Sequence, residues 1–244
     1  MRNLIVSDIL RILKKKSYWI IVGITLFFSL YDMLGKRDSL SSVTNQLTTI
    51  QNFGSTILGI CIFLSVYADE FSSRSMQCII GRGLSRAKLQ IAKFIDCIIL
   101  TANSYVIWFV WVFLLNLIFR TDMGTLERTA LYAAFFTEAL KAIGYATISA
   151  IFLYKSSNVA TATAVEILLY LIIYMFMGLL TDSLHLGPLY FLRRNTYTGL
   201  INHIYTNIVL GQSCAKLLFG AIVVYIGGSL LISVLIFRKR ELDF

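Results

Sequence analysis

The chain contains almost no proline and few charged residues. Among 244 residues there is one proline, Pro188, and 14% of the residues are charged, whereas 57% are hydrophobic. Soluble domains are typically about 45–50% apolar and about 25% charged. Because proline interrupts helices, its scarcity leaves long helices unbroken. This composition excludes an ordinary soluble domain and predicts an all-α protein that crosses a membrane several times.

Residues that build common catalytic and metal sites are also scarce. The two histidines, His185 and His203, lie near neither an HExxH pattern nor paired carboxylates, and GxSxG is missing. The four cysteines have no CxxC spacing and fall in or beside apolar segments, which predicts free thiols rather than disulfides or zinc ligands. No GxxxxGK[ST] phosphate loop occurs. We therefore predict no catalytic residues, no metal and no cofactor on this chain, which is not expected to be an enzyme by itself.

The first segment predicts an amphipathic helix at a membrane surface. Over residues 2–16, helical periodicity gathers most of the apolar side chains on one side. The polar side holds Asp8, Arg11, Lys14 and Lys15. Such a helix lies in the interface, with its cations toward anionic headgroups, so membrane lipids are expected partners. The alternative is a simple positively charged stop before the first span.

Six apolar segments predict six transmembrane helices. Their approximate ranges are 18–34, 53–68, 94–119, 129–153, 159–180 and 214–237. An earlier start of the second, inside the polar stretch 35–52, stays open. A helix needs about 20 residues to cross the hydrocarbon core, and the shorter segments have interfacial flanks. With no repeat and no second domain, residues 1–244 are predicted to form a single transmembrane domain.

The basic residues predict the orientation of the chain. Six spans place both termini on one side, where 14 of the 22 Lys and Arg residues fall, against seven on the other side. Since cytoplasmic loops carry an excess of Lys and Arg, both termini are predicted to be cytoplasmic. The net charge of +9 then reflects topology, and no nucleic acid is expected to bind. On the outer side, the apolar run 200–210 is too short to span, which predicts short re-entrant or interfacial helices between spans five and six.

Three charged residues fall inside the predicted spans. Glu138 and Lys141 lie three residues apart on one face of the fourth span, and Glu166 lies in the fifth. A tight turn at 154–158 joins these spans, so Lys141 is positioned to meet either glutamate. Intramembrane charges usually pair or face a water-filled cavity. Two interpretations stay open: a substrate or conformational site, and a clamp between spans four and five.

The longest polar interruption among the early spans is the loop 68–94. It joins the second and third spans on the predicted cytoplasmic side and opens with an acidic pair. Its candidate functional residues are Asp69, Glu70, Phe71, Arg74, Gly81, Arg82, Leu84, Ser85, Arg86, Lys88 and Lys93. The alternative is a solvated basic turn, since basic cytoplasmic loops occur in every membrane protein.

The order of these parts resembles the permease subunit of ABC-2-type transporters over essentially the whole chain. The most specific match joins the acidic pair, the Ser85-Arg86 step and Lys93 at the start of the third span. The sequence departs from the family pattern at Arg74, near the usual glycine, and at Gly83, where proline is common.

The resemblance implies a mechanism and partners. Such permeases pair with a second copy or a paralogue, and each associates with a separate ATPase subunit that holds ATP and Mg. The loop 69–93 then forms a coupling helix in a groove of the ATPase, with the N-terminal helix beside it. Small permeases of this kind resemble those that export amphipathic or antimicrobial peptides, or give immunity to them, which implies a bacterial cell membrane. Spans one, two and five are expected to line the path.

Three alternatives remain at this stage. The first is an ABC exporter of small drugs or lipid-linked molecules. The second is a passive membrane immunity protein that has no ATPase. The third is a membrane enzyme that uses Glu138, Glu166 and a histidine, which requires these groups at one depth in the membrane.

Overall fold

The computed structural model of the protein describes residues 2–35, 39–72, 80–81, 83–121, 123–169, 176, 178–181 and 187–239. Within these ranges, every secondary-structure element is a helix. Five helical stretches are long and apolar enough to cross a membrane: Lys16–Leu34, Val43–Asp69, Arg86–Ile118, Thr125–Ser156 and Ala215–Lys239. The chain is therefore an all-α protein with the character of a membrane protein.

The described residues form a series of α-helices. In chain order they are α1 (Arg2–Leu13), α2 (Lys16–Gly35), α3 (Ser39–Phe53), α4 (Gly59–Ser72), α5 (Arg86–Ile118), α6 (Thr125–Ser156), α7 (Val159–Ile167), α8 (Gly187–Asn195), α9 (Tyr197–Val209), α10 (Ala215–Phe219) and α11 (Gly228–Lys239). Two π-helical segments, Gly54–Leu58 and Gly220–Gly227, join α3 to α4 and α10 to α11. Each of these pairs therefore forms one continuous rod.

Five of the six predicted spans correspond to these long helices. The remaining prediction, 159–180, includes residues 170–175 and 177, which lie outside the described residues. The second span begins earlier than about residue 53, because α3 buries Val43 and Ile50 on one side of an otherwise polar helix. The third span begins at Arg86 rather than about residue 94, since Ser85 caps the helix there by accepting a hydrogen bond from the Lys88 amide at 3.4 Å.

Contacts at the two ends of the bundle show that α5 runs in the opposite direction to the α3–α4 rod and to α6. At one end, the rings of Phe71 and Phe237 both pack on Tyr154, with centroid distances of 5.8 and 4.4 Å, which gathers the ends of α4, α6 and α11. At the other, Asn116 donates a hydrogen bond to Gln46 at 3.1 Å, joining the end of α5 to α3. We call these the junction end and the far end; α1 packs at the junction end.

The core holds α2, α5 and α6 together through a buried tryptophan. The Trp108 side chain is fully buried, and its indole donates to the Ser29 hydroxyl at 2.6 Å. The ring meets Phe135 edge to face at 5.6 Å. Such a side chain fills a large volume while its one polar atom is satisfied, which suits a site away from water.

Helices α8 and α9 reach halfway along α6. The Tyr197 hydroxyl donates to the Leu140 carbonyl at 2.6 Å, and its ring lies against Gly144, where a Cβ atom would fall 2.1 Å from the ring. The turn between the two helices is set by Thr196, whose hydroxyl caps α9 by accepting from the Gly199 amide at 3.1 Å. Short helices thus lie between the long ones, and not only over their ends.

Candidate functional site

A buried ion-pair cluster at the junction end is centred on Lys93. Its amino group donates to Asp8 at 2.6 Å, and Asp96 lies 3.8 Å from the same nitrogen. The Lys93 side chain is fully buried, while Arg11 lies 3.6 Å from the second oxygen of Asp8. Because a buried charge requires close partners, these contacts fix α1 to α5.

Two sequence candidates have surroundings here that the sequence did not predict. Asp8 was expected on the outward polar side of the N-terminal helix, with Arg11, Lys14 and Lys15, but it is buried against Lys93. Lys93 was expected in the coupling loop, but it lies inside α5 with no exposed surface. The reason is that each charge finds its partner on a distant segment, so both can be buried together. The exposed side of α1 instead presents apolar Val6 and Leu10.

The two ends of the loop 69–93 are tied to other elements. Where α4 ends, Asp69 forms an ion pair with Lys15 from the segment after α1. Where α5 begins, the Arg86 guanidinium donates to the carbonyls of Phe237 and Arg238 at 3.3 and 3.4 Å. The last carbonyls of a helix lack partners within it, so Arg86 caps the end of α11.

Further contacts reinforce the start of α5. The Gln90 amide hydrogen-bonds the Ser233 hydroxyl of α11, and the Arg86 guanidinium lies 6.0 Å from the centre of the Phe237 ring. We call Asp8, Lys15, Asp69, Arg86, Lys93 and Phe237 the junction cluster. It connects α1, α4, α5 and α11 around the loop.

Within the loop, Gly83 explains one departure from the family pattern. Its φ of +91° lies in the left-handed region, and its amide donates to the Ile80 carbonyl at 2.9 Å to close a turn. Proline holds φ near about −65°, so it does not fit this turn, whereas glycine does.

The remaining loop candidates are divided between exposed and packed positions. Gly81, Ser85 and Lys88 are exposed, whereas Leu84 packs against the core. Arg74, Arg82 and the side chain of Glu70 lie outside the described residues, as does 73–79. The structure therefore does not test the predicted coupling helix over that stretch. Arg86 and Lys88 belong to the first turn of α5 rather than to a loop.

Halfway along the bundle, Glu138 and Lys141 form a buried ion pair. Glu138 also accepts hydrogen bonds from the Ser55 hydroxyl at 2.5 Å and from the Ser55 amide at 3.4 Å. Ser55 belongs to the π-helical segment between α3 and α4. The pair therefore joins the fourth predicted span to the second, and the hydrogen bonds of Glu138 within the described residues involve the second span rather than the fifth.

Small residues permit this close approach. A Cβ atom at Gly54 would lie 3.0 Å from the Tyr105 hydroxyl and 3.3 Å from the Glu138 Cβ. One turn on, a Cβ atom at Gly59 would lie 3.2 Å from Ala142. Glycine is common where two membrane helices pack closely, and a π-helical turn often marks a functional position.

Glu166 stands apart from that pair. Its side chain is 1% exposed, and neither carboxylate oxygen hydrogen-bonds to any residue in the described ranges. It lies near the thiols of Cys61 and Cys97. Lys141 pairs with Glu138 instead of Glu166. A buried carboxyl group within a predicted span is a candidate functional group.

A basic cavity between α8 and α9 was missed by sequence reasoning. Its volume is about 270 Å³, and its lining is Tyr190, Arg193, Arg194, Gly199, Asn202, His203 and Thr206. Burial, and then the neighbouring Arg194, lower the pKa of His203 below its ordinary value. The described lining has no carboxylate, so it lacks the acid–base pair that the membrane-enzyme alternative requires. His185 lies outside the described residues. The adjacent arginines in an aromatic segment, predicted to lie on the outer side, were the available sequence signal.

Comparison of the chain with protein-family models and with curated proteins finds no match. The functional interpretation therefore depends on the residues and on their geometry.

Proposed function

We propose that the chain is the permease subunit of an ATP-driven ABC exporter of the ABC-2 type in a bacterial cell membrane. ATP and Mg would be held by a separate ATPase subunit. The observation that carries the proposal is the junction cluster, because it fixes both ends of the loop 69–93 to neighbouring helices. A loop fixed in this way can pass the displacement of a partner into the spans.

The contacts define what such a displacement would move. Pressure on the loop acts on α4 and α5 directly, on α1 through Asp69 and Lys93, and on α11 through Arg86. Helices joined by side-chain contacts of this kind, of which the Lys93 pairs are buried, can shift together as a body. The proposed cycle therefore couples closure of the ATPase pair to movement of the spans.

The finer topology belongs to the same proposal. Six spans place both termini in the cytoplasm, and the junction end then faces the cytoplasm. Helix α1 lies in the interface, with exposed Val6 and Leu10 toward lipid. Helices α8 and α9 form a re-entrant pair from the outer side, which is supported by the contact of Tyr197 halfway along α6.

An amphipathic or antimicrobial peptide is the proposed substrate. A second candidate, a small hydrophobic compound, is favoured by a cavity of about 220 Å³ between α5 and α6 near the far end. Its lining includes Phe109, Phe113, Asn116, Arg128, Tyr132 and Phe135. This volume is below the range of about 300–1,000 Å³ typical of drug-sized sites, which limits the size of such a compound.

Co-purification with an ATPase tests the proposal. The tagged chain is expressed from its native operon and purified in mild detergent, and a P-loop ATPase is expected in near-equal amount. Lys88→Glu is expected to reduce that amount and the ATPase activity, since Lys88 is exposed beside the loop. The matched control is Lys216→Glu, which makes the same change at an exposed position of α10 at the far end.

Two outcomes contradict the proposal in different ways. If wild-type protein captures no ATPase, the passive immunity alternative is favoured. If it captures one and both variants retain it equally, the ATPase binds elsewhere than at the loop.

A further inference from the structure

The cavity between α8 and α9 is rich in cationic and hydrogen-bond-donating groups. Arg193, Arg194 and His203 line it together with the polar side chains of Tyr190, Asn202 and Thr206. Between residues 181 and 213 the sequence contains one acidic residue, Asp182, which lies outside the described residues. A cavity lined in this way attracts anions.

The arginines of this cavity are placed by close packing. Arg193 donates to the Thr181 hydroxyl at 3.2 Å, and a Cβ atom at Gly178 would lie 3.2 Å from its guanidinium. A Cβ atom at Gly199 would lie 2.2 Å from the Arg193 carbonyl, so glycine lets α9 approach α8. The side chain of Arg194 is exposed and lines the same cavity. One cation is thus held in place while the other is exposed.

The position of the cavity along the bundle limits which groups can neutralise the positive charge of its arginines. Arg194 precedes Tyr197 by three residues, and Tyr197 contacts α6 halfway along its length. The Asn195 carbonyl also accepts a hydrogen bond from Tyr225, which lies well inside the last long rod. The cavity extends from this level toward the far end, since its lining includes Thr206, three residues before α9 ends. Cations packed between helices are costly unless water or an anion accompanies them.

An apolar surface lies directly beside these cations. On α8, Tyr190, Phe191 and Leu192 are 59, 69 and 55% exposed. A basic group next to exposed aromatic and aliphatic side chains matches an amphiphile with an anionic head and an apolar tail. A small soluble anion would use the cations but not the apolar surface.

We propose that the cavity between α8 and α9 binds the phosphate group of an anionic phospholipid. Arg194 and His203 contact the phosphate, Arg193 supplies fixed positive charge, and the exposed face of α8 lies along the acyl chains. A guanidinium group donates two parallel hydrogen bonds to phosphate oxygens, and the positive charge of the cavity favours an anionic lipid over one whose headgroup also carries a cation. This site does not depend on the exporter proposal.

Native mass spectrometry of the purified full chain, with phosphatidylglycerol or phosphatidylcholine added, tests the site. Wild-type protein is expected to retain phosphatidylglycerol in preference to phosphatidylcholine. Arg194→Gln should weaken phosphatidylglycerol binding about fivefold, which is the usual contribution of one basic residue near an anionic lipid. The matched control, Lys216→Gln, removes an exposed charge from the far end outside the cavity and should leave binding unchanged.

A second variant tests whether a loss of phosphatidylglycerol binding comes from the cavity rather than from misfolding. Thr206→Asp places a carboxylate at an exposed position of the lining and should also weaken phosphatidylglycerol binding, with circular dichroism unchanged. Equal losses in Arg194→Gln and Lys216→Gln would mean general surface attraction and would overturn the site. Full competition by inorganic phosphate would assign the cavity to a soluble anion, which also overturns the lipid proposal.

Discussion

Lys93 shows how one side chain holds the N-terminal helix to the bundle. Lys93→Met leaves Asp8 buried without its closest cation, which typically costs about 3–5 kcal/mol for a buried pair. We expect the free energy of unfolding to fall by about 3 kcal/mol, the lower part of that range. The reason is that Arg11 remains 3.6 Å from Asp8. The measurement is the free energy of unfolding in detergent by circular dichroism.

The control for this change lies on the same helix. Lys88→Met removes an exposed lysine from the first turn of α5 and should change stability by less than about 1 kcal/mol. Adding Asp8→Asn to Lys93→Met should recover part of the loss. If it recovers nothing, the pair is not the source of the effect.

Gly144 is a second residue on which the packing depends. Gly144→Ala forces the Tyr197 ring away from α6, because the added Cβ atom would fall 2.1 Å from it. Overpacking of this kind typically costs about 1–3 kcal/mol, so the melting temperature should fall. Gly23→Ala is the control, since nothing lies within 4 Å of its Cβ position. Equal melting temperatures for the two variants would contradict the observed contact.

At the scale of elements, α9 carries His203, whose pKa is lowered in the folded chain. Burial and Arg194 lower the pKa of His203 in the folded chain, so protonation favours the unfolded chain. The stabilisation is present above the ordinary pKa of about 6.5 and is lost as the pH falls through that value toward the lower folded pKa. Between about pH 7 and pH 5, wild-type protein should lose more thermal stability than His203→Gln.

Arg194→Gln provides the control for this pH effect. This substitution removes the neighbouring positive charge, which is the second cause of the lowered pKa of His203. The stability of the variant should therefore depend less on pH than that of wild-type protein. A steeper dependence in His203→Gln than in wild-type protein would contradict the assignment.

The elements also show which features a sequence can predict. Apolar runs identify long helices because burial in lipid depends on composition alone, and five predicted spans correspond to such helices. The polar helix α3 was not predicted with its bounds, since its burial depends on neighbours and not on its own hydrophobicity.

Charge partners were the least predictable feature of the candidate sites. Helical spacing indicated that Glu138 and Lys141 share a face, and they do pair. Spacing along one helix carries no information about Ser55 or about the pairing of Asp8 with Lys93, because these contacts join segments far apart in the chain. The basic cavity was missed for a different reason: its lining comes from two consecutive helices, and the way they pack is not given by spacing along either one.

At the scale of the whole molecule, α2 presents an exposed apolar stripe. Its residues are Ile20, Ile24, Phe27, Tyr31 and Leu34, each at least 42% exposed. They alternate at spacings of four and three residues, which is the pattern that packs two helices at a shallow left-handed crossing. The exporter proposal requires a second permease copy, and this stripe is where we expect it to pack.

Disulfide cross-linking in the membrane tests this arrangement. In a chain whose native cysteines are replaced, Phe27→Cys should yield a cross-linked dimer on oxidation, because equivalent stripes face each other across a two-fold axis. Val106→Cys is the matched control: Val106 is 59% exposed on α5, and contacts of Tyr18 with Ser104 and of Ser29 with Trp108 place it at a similar depth. If Val106→Cys cross-links and Phe27→Cys does not, α2 faces lipid and the second copy packs against α5, which would leave the dimer in place but move its interface.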